Sequence, residues 1–369
     1  MKFRLSTLTA TLGLSMMAAT AHADVVKIAA VGPVTGPVTQ YGDMVREGIM
    51  TAIEKINAEG GVDGHTFEMV TVDDACEPKQ GPTSANSVVN QKIGFVVGPV
   101  CSGATLGSAP IFDEQGIVMV TPSATSPTIT DGKGYNFIFR TIGRDDQQGP
   151  AAAAFIAGKK PAKVAVLHDK QSYGQGVATS TRDNLKKHGI EAVLFEGINA
   201  GESDYSSVIT KLKSQGVDFV YYGGYHPELG LLLRQAREQG FNAQFMGPEG
   251  AGNADINAIA GDAVEGMLVT FPPDFSAKPE NAEIAKLFKD KGRDASGAFQ
   301  LTAYAATQVI VEGIKGAKST DPEKVAEWLH ANKVNTVIGE LSWEKSGDLT
   351  SFAFDVFTWH KDGSKSIAK

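Results

Sequence analysis

Small hydroxyl side chains follow two apolar runs in the first half of the chain. Ser102 comes after FVVGPVC at 95–101, and Thr125 comes after IVMVTPSA at 117–124. In open α/β sheets ligands bind at the carboxyl ends of strands, where helix N-termini and hydroxyls can bind an anion. Each residue alone is equally compatible with an ordinary helix cap or turn residue.

Tyrosines and one glutamate follow other apolar runs. Tyr41 lies in GPVTQYGD, Tyr173 in HDKQSYGQG, Tyr225 in DFVYYGGYHPE and Glu249 in QFMGPEG. A carboxylate among tyrosines could bind a cation or act as an acid or base. Alternatively, each tyrosine is a partly buried core residue and the glutamate is a solvated loop carboxylate. The functional interpretation therefore rests on the whole set, which recurs at equivalent places in two halves of the chain.

Catalytic and cofactor signatures are weak. Gly174 and Gly176 lack the third glycine of a dinucleotide fingerprint, and the sequence contains no GxxxxGK[ST], GxSxG or HExxH motif. His168 and Asp169 are adjacent, so in an extended segment their side chains point apart and do not form an acid–base pair. Two cysteines without nearby histidines do not make a structural zinc site. We expect neither cofactor nor metal.

The elements that would position these residues alternate between strands and helices. This pattern predicts parallel sheets covered on both faces. Helices are expected at 42–58, 173–188, 205–215, 228–239, 282–291, 298–315 and 322–331. In the first unit strands are expected at 25–31, 66–72, 94–97, 117–120 and 135–140. In the second unit they are expected at 163–167, 191–195, 218–222, 243–246 and 266–271. Two further strands are expected near 336–343 and 351–359. The segment after Pro273 is expected to pack back across both units.

The N-terminus predicts export. Lys2 and Arg4 precede an apolar run at 5–19, and Ala21-His22-Ala23 provides a small-x-small cleavage site after Ala23. The run is too short and too rich in Ser and Thr for a bilayer span, and no later run of about 18 apolar residues follows. The alternative is a buried N-terminal helix.

Charge and cysteine content narrow the class further. Loss of the two basic residues with the leader changes the net charge from −8 to −10, which disfavours nucleic-acid binding. An exported protein can form a disulfide, and Cys76 and Cys101 are the only two cysteines. Closing the loop between them would stabilise the fold by about 3.5 kcal/mol.

The chain contains, in this order, the motifs GPVTQYGD, DDACEPKQ, VCSGAT, VTPSAT, VLHDKQSYGQG, DFVYYGGYHPE, QFMGPEG and SGAF. This series resembles the sequences of periplasmic branched-chain amino-acid binding proteins, the solute receptors of ABC importers. The resemblance covers essentially the whole chain after the leader. It implies a type I periplasmic-binding-protein fold, with two doubly wound parallel-sheet lobes joined by a multi-strand hinge. The expected lobes are 24–143 plus 273–350 and 144–272 plus 351–369. It also implies a monomer that delivers an amino acid to permease subunits.

The same resemblance implies a ligand set. Ser102 and Thr125 would bind an α-carboxylate, whereas the Ser123 carbonyl, the Thr125 hydroxyl and Glu249 would bind an α-ammonium. The side-chain pocket would be lined by Tyr41, Val100, Cys101, Tyr173, Tyr225 and Phe299. Ser123 and Val100 depart from the alanine and leucine common at these positions. The shorter Val100 would enlarge the pocket.

Three other hypotheses stay open at this stage. A binding protein for a different small ligand, such as a short-chain amide, would not need the carboxylate of Glu249. A periplasmic enzyme would use His168, Asp169 or Glu249 as acid or base. An extracellular sensor would normally carry a membrane anchor.

Overall fold

The computed structural model describes residues 24–369. The predicted leader at 1–23 and its cleavage after Ala23 lie outside the described residues. Within the described range, no helix has the length and apolar character needed to cross a membrane.

The first unit is built on a five-stranded parallel sheet with the order β2-β1-β3-β4-β5. Its central strands are apolar and buried on both faces, as expected for a parallel sheet covered by helices. The strands are β1 (Asp24–Gly32), β2 (His65–Asp73), β3 (Phe95–Val97), β4 (Val118–Thr121) and β5 (Ile138–Arg140), and the helices are α1 (Thr39–Ala58), α2 (Gly81–Asn90) and α3 (Ser102–Glu114).

The second unit has a seven-stranded sheet with the order β14-β13-β10-β9-β8-β6-β7. The first five strands along the chain are parallel: β6 (Val164–His168), β7 (Leu194–Gly197), β8 (Phe219–Gly223), β9 (Gln244–Gly247) and β10 (Met267–Phe271). Their helices are α4 (Asp145–Lys159), α5 (Ser172–Lys187), α6 (Ser206–Ser214), α7 (His226–Glu238) and α8 (Asp255–Ala260). The predicted α/β pattern is confirmed, although β7 begins three residues later than predicted.

The C-terminal segment returns to both units. It contains α9 (Ala282–Asp290), α10 (Gln300–Ala317), α11 (Pro322–Ala331), β11 (Val334–Thr336), β12 (Gly339–Leu341), β13 (Asp355–Trp359) and β14 (Lys365–Ile367). Helix α10 packs so closely on α1 that a Cβ at Gly48 would lie 2.3 Å from the Gln300 carbonyl oxygen. Strand β13 instead extends the second sheet, antiparallel to β10, so the parallel core of that sheet gains antiparallel strands at one edge.

The chain passes between the two sheets three times, after β5, after β10 and before β13. Several crossings at one boundary are typical of two lobes that move about a hinge. The predicted lobe limits at 143/144, 272/273 and 350/351 stay predictions.

A disulfide joins Cys76 to Cys101, with a Cα–Cα distance of 5.3 Å, and this pairing confirms the sequence prediction. Cys76 lies in the loop after β2, and Cys101 is the residue immediately before α3. The bond therefore anchors the N-terminus of α3, where Ser102 is located, to the neighbouring loop.

Candidate functional site

The loops at the carboxyl ends of both sheets meet in one buried region. Tyr41 of the first unit donates a hydrogen bond from its hydroxyl to the Gly250 carbonyl of the second, at 2.6 Å. All ten residues of the predicted ligand set are less than 10% exposed. The region therefore brings together side chains that are up to about 260 positions apart in the sequence.

The first unit contributes hydroxyls and a helix N-terminus. Ser102 is the first residue of α3, and its Oγ accepts a hydrogen bond from the Ser126 backbone N–H at 3.3 Å. Thr125 is 0% exposed, and its Oγ1 has no hydrogen-bond partner of normal geometry. Ser123 donates from its hydroxyl to the Val100 carbonyl at 2.9 Å. These groups give the region donors for an anion without a full positive charge.

The second unit contributes a buried acid. Glu249 begins a 3-10 turn directly after β9 and is 1% exposed. Its Oε2 accepts a hydrogen bond from the Gln148 amide. Burial raises the pKa of Glu249, and the bond from Gln148 and the nearby Tyr173 hydroxyl offset part of that increase. A buried carboxylate held only by neutral donors is poised to bind a cation.

Four aromatic rings form a continuous wall beside Glu249. Ring centroids lie 5.6 Å apart for Tyr41 and Phe299, 6.1 Å for Tyr41 and Tyr225, and 5.1 Å for Tyr173 and Tyr225. Burial raises the pKa of all three tyrosines, so their hydroxyls stay protonated. Such a wall can cover an apolar group while its hydroxyls remain available as hydrogen-bond donors.

Val100 and Cys101 complete the buried set on the side of the first unit. A Cβ at position 32 would lie 2.4 Å from Val100 Cγ2, so Gly32 allows the end of β1 to approach this side chain. The disulfide at Cys101 lies beside a cleft of about 390 Å³ whose lining includes Cys76, Tyr173 and Tyr225. The predicted pocket residues are thus gathered in one region, and their contacts with a ligand stay predictions.

The structure adds polar residues that the sequence analysis missed. Gln148 and Asp145 lie in the first turn of α4, the helix that follows β5, and His226 begins α7. His226 Nδ1 is 3.2 Å from the Tyr41 hydroxyl and 2.8 Å from the Asn253 amide nitrogen. Burial lowers the pKa of His226 to about 4, so the ring is neutral. Asp145 and Gln148 could have been found from their position in the sequence, because the stretch after β5 also follows the carboxyl end of a parallel strand.

Comparison with known proteins agrees with this architecture. The family model for periplasmic binding proteins matches residues 25–364. The chain belongs to the periplasmic binding protein family. It is 54% identical to the leucine-, isoleucine-, valine-, threonine- and alanine-binding protein of Pseudomonas aeruginosa, across 94% of this chain and 93% of that protein. It is 47% identical to the Leu/Ile/Val-binding protein of Escherichia coli K12, across 95% of each.

Solved structures confirm the type I periplasmic-binding-protein fold. The leucine binding protein LivK of Thermotoga maritima superposes with a TM-score of 0.85 at 30% identity, across 93% of this chain and 98% of that one. The isoleucine complex of LivJ from Streptococcus pneumoniae gives 0.83 at 23% identity, across 94% and 100%. At 23% identity, the similarity to LivJ supports the fold only.

In this periplasmic binding protein an internal ion pair holds the loop that carries Thr125. Arg140 is fully buried and donates to the carbonyls of Ala124 and, at 2.8 Å, Ser126. Its Nε donates to Asp348 Oδ1 at 2.6 Å. Asp348 belongs to the returning C-terminal segment, so this pair links the site loop to the chain crossing that precedes β13.

Proposed function

We propose that this protein binds an aliphatic branched-chain L-amino acid (leucine, isoleucine or valine) between its two units and delivers it to the permease subunits of an ABC importer. The observation that carries the proposal is the buried Glu249 carboxylate, which lies beside the Tyr173 hydroxyl of the aromatic wall. The relatives named for leucine, isoleucine and valine binding support the same ligand class.

The α-carboxylate of the ligand is assigned to Ser102 and Thr125. The N-terminus of α3 presents backbone N–H groups beside the Ser102 hydroxyl, and a helix N-terminus favours negative charge. The disulfide at Cys101 holds this helix end in place before the ligand arrives, which lowers the entropic cost of binding.

The α-ammonium is assigned to Glu249, the Thr125 hydroxyl and the Ser123 carbonyl. Glu249 is the group of this set that carries a formal charge. Its removal would leave the ammonium buried without a counter-charge, at a cost of about 2–5 kcal/mol.

The aliphatic side chain is assigned to the aromatic wall with Val100 and Cys101. Burial of a leucine, isoleucine or valine side chain contributes about 1.5–3 kcal/mol, and each methylene contributes about 0.8 kcal/mol. Discrimination among the three ligands is therefore expected to be mild.

The location and partners follow from the same proposal. The protein is exported to the periplasm with cleavage after Ala23, acts as a monomer, and meets the permease only transiently. It performs no chemistry of its own. A neutral ligand such as a short-chain amide is disfavoured, because it would leave the buried carboxylate of Glu249 without a cation.

A thermal-shift screen of the purified protein against the twenty amino acids tests the ligand class. A ligand present at one hundred times its Kd stabilises the folded state by about 2.7 kcal/mol, which raises the Tm by several degrees. We expect the largest shifts with leucine, isoleucine and valine. Shifts confined to acidic, basic or amide side chains would contradict the proposal.

A further inference from the structure

A second buried carboxylate lies next to the proposed ammonium site. Asp145 is the first residue of α4 and is 1% exposed. Its backbone N–H donates to the Thr125 carbonyl at 3.0 Å, and its carbonyl accepts from the Ser180 hydroxyl at 2.9 Å. Neither oxygen of its carboxylate has a hydrogen-bond partner of normal geometry.

Asp145 and Glu249 share one buried compartment. Gln148, one turn after Asp145 on the same face of α4, donates to Glu249. The Thr125 hydroxyl lies close enough to the Asp145 carboxyl to lower its pKa by hydrogen bonding, so it borders the same compartment. Two carboxylates and a hydroxyl therefore converge from three elements: the loop after β4, the start of α4 and the turn after β9.

No free positive charge near Asp145 neutralises the carboxylates of Asp145 and Glu249 among the residues that the structure describes. Glu249 and Asp146 raise the pKa of Asp145, and Arg140 lowers it, but the Arg140 guanidinium donates to Asp348 and to two carbonyls. Arg144, the preceding residue, is paired with Asp131, Asp146 and Asp348. The hydroxyls of Tyr173, Tyr221 and Tyr225, also near Asp145, are protonated.

Two ionised carboxylates in a buried compartment repel each other, and burial disfavours the charge of each. Burial is the largest cause of the raised pKa of both Asp145 and Glu249, and the charge of Glu249 raises that of Asp145 further. A pair of this kind retains one proton over a range in which an isolated carboxyl would lose it.

We propose that Asp145 and Glu249 together form a two-carboxylate ammonium subsite, in which the ligand's ammonium replaces a proton held by the pair. This inference rests on the proposed function. On binding, the O–H bond of the protonated carboxyl breaks and the proton leaves to solvent, while the ammonium keeps its three protons. The pair is then doubly ionised, with the cation beside it. Because protons and ammonium compete, leucine affinity falls as the pH falls.

Isothermal titration calorimetry with L-leucine at pH 7.5 tests the proposal. Phosphate and Tris buffers take up a proton with different enthalpies, so a released proton makes the observed heats differ. We expect a difference equivalent to about one proton per leucine. Equal heats in the two buffers would overturn the subsite proposal and leave the proposed function standing. No heat with leucine in either buffer would instead contradict the proposed function.

Two variants separate the role of Asp145 from a general charge effect. Asp145→Asn keeps the shape of the side chain, and we expect it to lose the buffer dependence and to raise the leucine Kd at least tenfold. Asp146→Asn is the matched control, because Asp146 is adjacent but exposed and paired with Arg144. Its charge raises the pKa of Asp145 less than burial and Glu249 do, so the variant is expected to release close to one proton per leucine, with a Kd near that of the wild type. An Asp145→Asn protein with wild-type Kd and buffer dependence would overturn the proposal. If this variant does not fold, the wild-type buffer comparison decides.

Discussion

The Tyr41 hydroxyl donates a hydrogen bond to the Gly250 carbonyl at 2.6 Å, across 209 sequence positions. Tyr41 lies in the first turn of α1, and Gly250 directly follows Glu249. The Gly250 N–H in turn donates to the Tyr173 hydroxyl at 3.1 Å. One peptide segment beside the proposed ammonium site is thus hydrogen-bonded to aromatic side chains of both units.

Removal of this inter-unit bond should speed ligand release. Tyr41→Phe keeps the ring that packs on Phe299 and loses the hydroxyl, with its bond to Gly250 and its contact with His226, which is also in the second unit. A hydrogen bond contributes about 0.5–1.5 kcal/mol net, so we expect leucine affinity to fall roughly 2- to 12-fold. Stopped-flow measurement of the dissociation rate checks this. Tyr205→Phe is the control, because its hydroxyl donates to the Asn199 carbonyl within one unit. Equal dissociation rates for Tyr41→Phe and wild type would refute the role of this bond.

Glu249→Ala should abolish leucine binding and leave the fold intact. The variant removes the counter-charge of the ammonium, at about 2–5 kcal/mol. Calorimetry gives the affinity, and circular dichroism reports the fold. Glu228→Gln is a matched control: Glu228 is also a buried glutamate, and it accepts a hydrogen bond from the Gly201 N–H at 2.9 Å. If Glu249→Ala retained leucine affinity within tenfold of wild type, Glu249 would not be the ammonium ligand.

Loss of Asp348 should destabilise the fold strongly. Asp348→Ala leaves the fully buried Arg140 guanidinium without its carboxylate, and breaking one side of a buried ion pair costs about 3–5 kcal/mol. Urea unfolding measures the change in the free energy of unfolding. Asp131→Ala, which breaks an exposed pair with Arg144, is the control and should cost less than about 1 kcal/mol. Similar losses in the two variants would argue against the special role of the buried pair.

Asp169 should make the protein less stable as the pH rises. Burial raises the pKa of this carboxyl from 3.8 to about 7. The unfolded chain therefore loses this proton at lower pH than the folded protein does, and the resulting penalty grows from about pH 4 to pH 7. In the wild type Asp169 accepts a hydrogen bond from the Gln171 N–H at 2.9 Å, and the amide oxygen of Asp169→Asn can still accept it. We expect the variant to be about 1–3 kcal/mol more stable than wild type at pH 8.

The pH dependence of this gain separates a charge effect from a packing effect. At pH 4 Asp169 carries a proton in the folded state and about half the time in the unfolded state, so the gain should nearly vanish. Urea unfolding of both proteins at pH 4 and pH 8 measures it. An equal difference at the two pH values would show that the ionisation of Asp169 does not control stability.

The strongly patterned parts of the fold were predictable from the sequence. β1 and α1 follow from an apolar run and from helical spacing of apolar residues such as Val45 and Ile49, and both are found within a few residues of the predicted limits. The bounds of α3 were not predicted, because its sequence SGATLGSAPIFDE is dominated by small residues and contains Pro110. β7 was misplaced by three residues because it is a half-buried edge strand with weak alternation.

The residues alone pointed to the candidate site where a side chain follows an apolar strand, whereas Phe299, which precedes α10, came from the family resemblance. Glu249 and Thr125 could be found in that way. Asp145 and Gln148 follow the short strand β5, and their relation to Glu249 depends on how α4 packs against the turn after β9. The Arg140–Asp348 pair joins residues 208 positions apart, and no local pattern marks such a partner.

Isothermal titration calorimetry of the purified wild-type protein with L-leucine tests the central claim most directly. The proposed site, which combines the buried carboxylate of Glu249 and its neighbour Asp145 with a helix N-terminus and an aromatic wall, should bind one leucine per protein chain, at micromolar affinity or better. Isoleucine and valine should give similar complexes. No binding heat with these three amino acids, together with saturable binding of an uncharged amide, urea or a sugar, would contradict the account.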